Sequence, residues 1–133
     1  MLCSLARNFP PFVENFLEQS QRLSRRFREE TVTDLLIGGL ITAGAGSIIV
    51  ELPNEPDTGA DMEWNFVNAD DRTFFRLLLQ AKRAHAVESD WRKHQYKELF
   101  HKTASKTQLQ VNVLCDTARN SPLATYPLYI FYN

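Results

Sequence analysis

Two short stretches carry side chains of the right types for hydrolysis at a phosphate. In TFFRLLLQAK, residues 73–82, an apolar run ends at Gln80 and Lys82, which lie two apart and so share one face of a strand. In ADMEWNFV, residues 60–67, Met62, Trp64 and Phe66 alternate with Asp61, Glu63 and Asn65, so the carboxylates take the other face. If the two strands pair as neighbours, one edge gathers carboxylates, an amide and an ammonium. Phosphodiester hydrolysis needs a hard divalent cation held by one or two carboxylates and waters, which neutralises the phosphate and lowers the pKa of the attacking water. Asp61 is the obvious carboxylate ligand, and Gln80 offers a neutral carbonyl oxygen. Lys82 is placed to polarise the water and to stabilise charge developing on phosphorus.

Each residue also has a plainer reading. Lys82 at a strand end would serve as a solvated charge that blunts a sheet edge. Glu63 would sit on an exposed strand face, with a metal role secondary, and Glu55 and Asp57 would solvate a loop. His85, His94 and His101 do not stand at metal-ligand spacing with Cys3 or Cys115.

The elements that must position these groups follow from periodicity. Phe12, Phe16, Leu23, Phe27, Val32, Leu35, Leu36 and Leu40 recur at three- and four-residue steps, which predicts one or two amphipathic helices over about residues 11–42. AGAGS at 43–47 reads as a turn and SIIVEL at 47–52 as a short strand. PNEPDTG is a loop, 60–67 a second strand, NADDR a turn and 73–82 a third strand whose near-continuous apolar run expects both faces covered. Residues 107–120 predict a helix with Thr107 as N-cap, and YPLYIFYN closes as a strand. The stretch between, 85–106, is polar and aromatic-rich and gives no assignment.

The bulk properties suit this size of assembly. With 133 residues, 44% of them hydrophobic, the expectation is one domain over 1–133: a helical part about 1–43, a catalytic sheet about 47–83, and a helix and strand about 107–133. Fifteen Lys and Arg against sixteen Asp and Glu leave a net charge of −1, so any nucleic-acid surface must be local. Two distant cysteines and an N-terminus without a charged leader point to a reducing cytoplasm. The uncharged segment 35–50 is too short and too glycine-rich for a membrane span, so no membrane is expected.

The arrangement resembles the PD-(D/E)xK nuclease superfamily, and within it the branch where QxK replaces ExK, as in Mrr-like restriction enzymes. The residues that carry the resemblance are Asp61 in TGADMEW, Gln80 and Lys82 in LLLQAK, and an acid in the first helix within REETVTDLL. Gly59 and Ala60 stand where the motif has its proline. Glutamine for glutamate at 80 shifts the burden of cation binding onto Asp61 and the helix acid. That acid is Glu29 or Glu30; helix geometry favours Glu29, which lies three and seven residues before Val32 and Leu36.

The resemblance implies an α/β (α+β sandwich) restriction-endonuclease-like core, a mixed central sheet flanked by helices in the order α-β-β-β-α-β. It implies Mg²⁺ or Mn²⁺ as cofactor, with Asp61, Gln80 and Glu29 as ligands. It also implies an endonuclease acting on nucleic acid, DNA first, of restriction or phage-defence type, with Gln108 as a polar residue approaching the site. Cutting both strands of a duplex takes two sites, so a homodimer is expected. Arg83, Arg92, Lys93 and Lys97, among Trp91, Tyr96 and Phe100, form a candidate phosphate-tracking surface. The rival readings are an inactive nuclease-fold domain that binds nucleic acid or a protein, and a module in which the QxK pair is accidental.

Overall fold

Val13, Leu17 and Ser20 recur on one side of a helical repeat, and all three are buried in the first helix, α1 (Leu2–Gln21). This computed structural model describes residues 2–23, 27–44, 50–68, 70–87, 90–102 and 107–132. The chain forms two compact units, Met1–Val50 with Phe131–Asn133, and Glu51–Ile130.

In the first unit α1 pairs with α2 (Glu29–Gly44), whose Val32, Thr33 and Leu36 are buried. A Cβ on Gly39 would lie 3.1 Å from Leu5 Cδ1, and the rings of Phe16 and Phe27 stand 4.4 Å apart, so the helices run antiparallel and in close contact. The expected start near residue 11 is corrected to Leu2. Pro10 and Pro11 lie inside α1, where each removes a backbone donor, and packing of residues such as Leu5 carries the helix past them. Tyr132 is buried with its hydroxyl 3.1 Å from Thr33 Oγ1.

The second unit is built on a hairpin. β1 (Met62–Asn68) pairs antiparallel with β2 (Thr73–Arg83), in a register running from Met62↔Leu79 to Asn68↔Thr73. Asn68 shapes the connection: its Oδ1 accepts from the Asp70 N–H at 3.1 Å and its Nδ2 donates to Asp71 Oδ2 at 2.7 Å. β2 is central, with β5 (Thr125–Tyr132) on its other side in a three-stranded mixed sheet. The fold is therefore mixed α and β, of the α+β class. Of the strand expected at 47–52, residues 47–49 lie outside the described residues, as do residues 45–47 of the AGAGS turn. Glu51 makes an isolated antiparallel bridge to Glu63.

Three other expectations are refined. The PNEPDTG loop contains a single helical turn, α3 (Glu55–Thr58), with proline in its first turn. The unassigned stretch contains an antiparallel ribbon of β3 (His85–Val87) and β4 (Asp90–Gln95), with an irregularity after Ala86. The last helix, α4, spans Gln110–Asn120 and has Leu109 as N-cap, not Thr107.

α4 covers the sheet face that holds Leu78. Ala60, Leu78, Leu114 and Ala118 form one buried cluster, and burial of each large aliphatic side chain contributes about 1.5–3 kcal/mol. Leu78 through Lys82 are all buried, as two covered faces require, whereas Phe74 and Phe75 nearer the turn are exposed. On the face opposite Leu78, Phe66 stacks on Phe75 at 4.6 Å and Phe75 meets Tyr126 edge-on at 6.3 Å, a solvent-facing row of rings. Among the described residues no helix is long and apolar enough to cross a membrane.

Candidate metal-binding active site

Continuing the β1–β2 register by one rung sets Asp61 opposite Gln80, and directly opposed residues share a face. The backbone closes this rung tightly, since the Asp61 N–H donates to Leu79 O at 2.8 Å. The Ala81 N–H donates to Asp61 Oδ2 at 2.7 Å. One carboxylate oxygen is thus fixed by the backbone of the QxK strand itself, which sets the direction of the other. The two halves of the sequence motif, nineteen residues apart, meet here.

Gln80 is 0% exposed, and neither its Oε1 nor its Nε2 has a hydrogen-bond partner. A buried polar atom without a partner costs about 1–3 kcal/mol. Lys82 follows on the same face and is 3% exposed. The solvated-edge reading of Lys82 is therefore set aside: β2 is the central strand, and its end is covered.

Glu63 is engaged elsewhere. Its Oε2 pairs with Arg76 at 3.5 Å and its Oε1 accepts from Asn65 Nδ2 at 2.9 Å. Arg76 also donates to Thr125 Oγ1 at 3.2 Å and Ser121 Oγ at 2.9 Å, and its backbone N–H donates to Ala124 O. This clasp ties β1 and β2 to the start of β5. Among the described residues, no three His, Cys, Asp or Glu side chains gather as a metal-holding group.

The backbone leading into Asp61 is held from below by α4. Gly59 has φ 71°, and a Cβ there would lie 2.6 Å from Leu114 N and 2.7 Å from Gln110 O. Only glycine suits both the conformation and the space. Thr58 Oγ1 accepts from the Ala60 N–H at 3.2 Å, which fixes the next residue. Gln110 is buried and donates through Nε2 to Glu55 Oε1, while its Oε1 has no partner. Glu55 is thus more than a solvated loop residue.

Gln108, the expected polar residue, is exposed in the turn before α4. Periodicity alone does not single out Gln110, because Leu109, Val113 and Ala118 offer a competing inward stripe without an amide. The available signal was the step Gln110, Leu114, Ala118, which puts an amide on the same inward stripe as two core residues.

Glu29 and Glu30 open α2 in the N-terminal unit. Glu29 is half-buried, whereas Glu30 is exposed and lies 3.4 Å from Arg28. Of the basic residues, Arg83 is half-buried at the end of β2, and Lys93 and Lys97 are exposed. Arg92 falls in β4, but its side chain lies outside the described residues. Tyr129 has its pKa raised, chiefly by burial and secondarily by the neighbouring Cys115, and its hydroxyl donates to Leu99 O at 3.5 Å.

The profile of a family of unknown function, DUF6615, matches residues 2–133. No curated protein and no solved structure matches the chain.

Proposed function

The chain belongs to DUF6615, a family of unknown function, and we propose that it is a divalent-cation-dependent endonuclease that hydrolyses phosphodiester bonds of nucleic acid, with DNA the expected substrate. The observation that carries the reading is the Asp61–Gln80 rung, an oriented carboxylate opposite a wholly buried amide with no partner, followed on the same face by buried Lys82. Buried amides without partners are retained at a cost, and a ligand for the oxygen accounts for that cost.

A carboxylate and an amide carbonyl are hard oxygen donors, the set that suits Mg²⁺ or Mn²⁺. When bound, such a cation supplies charge neutralisation at the phosphate and acidifies a water. Asp61 would hold it through its carboxylate, and Gln80 would present Oε1. Lys82 would hold its ammonium against the scissile phosphate and stabilise the negative charge that develops there, to greater effect for being shielded from water. The hairpin-and-sheet arrangement, with α4 between β2 and β5 in the chain, supports the helix, strands, helix, strand order of a restriction-endonuclease-like core. Lys93, Lys97 and Arg83 would meet the backbone of the nucleic acid, and a second copy would cut the other strand.

A second reading is a domain that kept the fold and lost the chemistry, acting as a nucleic-acid-binding or protein-interaction module. Diversion of Glu63 to Arg76, which leaves one acidic ligand on the rung, favours it.

The test is incubation of the purified chain with plasmid DNA, single-stranded DNA and RNA, in Mg²⁺, Mn²⁺ or EDTA, beside Lys82→Met, which keeps the buried volume. Metal-dependent cleavage that falls by about 10²–10³ in the variant is expected. A folded chain that cuts none of the three with either metal overturns the enzyme reading in favour of the module.

A further inference from the structure

β1, β2 and β5 each turn one ring to the sheet face away from α4, and the three rings fix one another. Phe66 stacks on Phe75 with centroids 4.6 Å apart and planes at 9°, and Tyr126 meets Phe75 edge-on. Alternation sets Trp64, Leu77 and Leu128 on the same face, two residues further along each strand. Phe66 is 44% exposed, Phe75 41%, Tyr126 54% and Leu128 47%, while Trp64 and Leu77 are half-buried.

Size and charge together say what fits this face. At roughly 150–250 Å² for a fully buried aromatic side chain, the four most exposed residues present about 400 Å² of apolar surface. A stable association buries about 800 Å² on each partner, of which about 65% is apolar in pairs of identical chains; Trp64 and Leu77 supply the remainder. None of the six residues is charged, and neither are Asn68 and Thr73, which carry the face on to the turn. A nucleic acid or an anionic lipid surface needs cations to meet its phosphates, and these eight positions hold none. A two-fold pairing sets a surface against its own copy, so an uncharged patch joins itself without repulsion. Rings already held by their neighbours also lose little rotamer freedom on association.

We propose that this face binds the same face of a second copy of the chain, sheet against sheet, across a two-fold axis near Phe75, the middle ring on the central strand. Gln80 and Lys82 alternate to the other face of β2, so this pairing needs no substrate and differs from a second copy recruited across a duplex. It goes beyond the cation reading and does not rest on it.

The experiment is sedimentation equilibrium of the full chain in EDTA, where one copy weighs 15.3 kDa and a mass of two copies is expected. Phe75→Lys and Tyr126→Glu should each raise the dissociation constant of the pair by about 100-fold or more, because each sets a charge in the apolar centre. The second keeps the test standing if the first does not fold by circular dichroism. Phe75→Lys mixed with Phe75→Glu should form a mixed pair that neither forms alone. Phe74→Lys, one residue along but on the other face, should leave the pair intact. A folded starting chain with the mass of one copy overturns the proposal and leaves the face to a different protein. A pair that survives both Phe75→Lys and Tyr126→Glu, or is lost as readily in Phe74→Lys, also overturns it.

Discussion

The carboxylate of Asp61 accepts a hydrogen bond from the backbone N–H of Ala81 at 2.7 Å, so the residue before β1 is anchored between Gln80 and Lys82 on β2. The bond has both a structural and a chemical side, and two substitutions separate them. Asp61→Asn keeps an oxygen for the Ala81 N–H and should melt close to the starting chain. Asp61→Ala leaves that N–H unpaired at a buried residue and should cost about 1–3 kcal/mol in thermal unfolding. Both should lose Mn²⁺ binding; retained binding in either would remove Asp61 from the site.

Gln80→Met keeps volume and removes two unpartnered polar atoms. It should raise stability by about 1–2 kcal/mol, measured by urea unfolding, while abolishing cleavage. A loss of stability instead would mean that the amide is satisfied in the folded chain.

For Glu63, the clasp with Arg76 predicts a modest structural role. Glu63→Gln should cost about 1 kcal/mol, since the pair is only partly shielded, and cleavage should stay within a few-fold of the starting rate. Activity lost from a folded variant would instead make Glu63 a ligand.

Gly59→Ala should cost about 3 kcal/mol, because the added methyl meets α4 backbone and the φ of 71° is itself unfavourable. A circular-dichroism melt matching the starting chain would show that α4 does not press on this turn.

The raised pKa of Tyr129 sets an alkaline limit on stability. A group whose folded pKa lies above its unfolded value contributes fully below the unfolded value, about 10, and loses that contribution as pH climbs through the folded one. Stability should therefore fall from about pH 10 upward. Tyr129→Phe should flatten that part of the profile, and a slope unchanged in the variant would assign it to other groups.

The strand pair was legible because alternation at 60–67 and an apolar run at 73–82 are local signals, and together they brought Asp61 and Gln80 to one rung. What escaped was non-local. That Arg76 would draw Glu63 away depends on register and on where Ser121 and Thr125 return to the sheet. The inward turn of Gln110 was hidden because Leu109 and Val113 offer a more apolar stripe beside the buried one of Gln110, Leu114 and Ala118. The ribbon of β3 and β4 was hidden by composition, since DWRKHQ has no apolar alternation to read. Exposure of Phe74 and Phe75 was hidden too, as an apolar run does not say how far its cover extends.

The seating of Gly59 against α4 also governs how such a chain drifts over generations. The steric demand acts on the scaffold whether or not any bond is cut, so glycine there should persist in working and idle descendants alike. Gln80 is under the opposite pressure, because its amide burdens the fold and is worth keeping only while something uses its oxygen. A descendant with Gly59 intact and an apolar residue in place of Gln80 would therefore be a fossil of the chemistry, with the scaffold inherited and the trade abandoned.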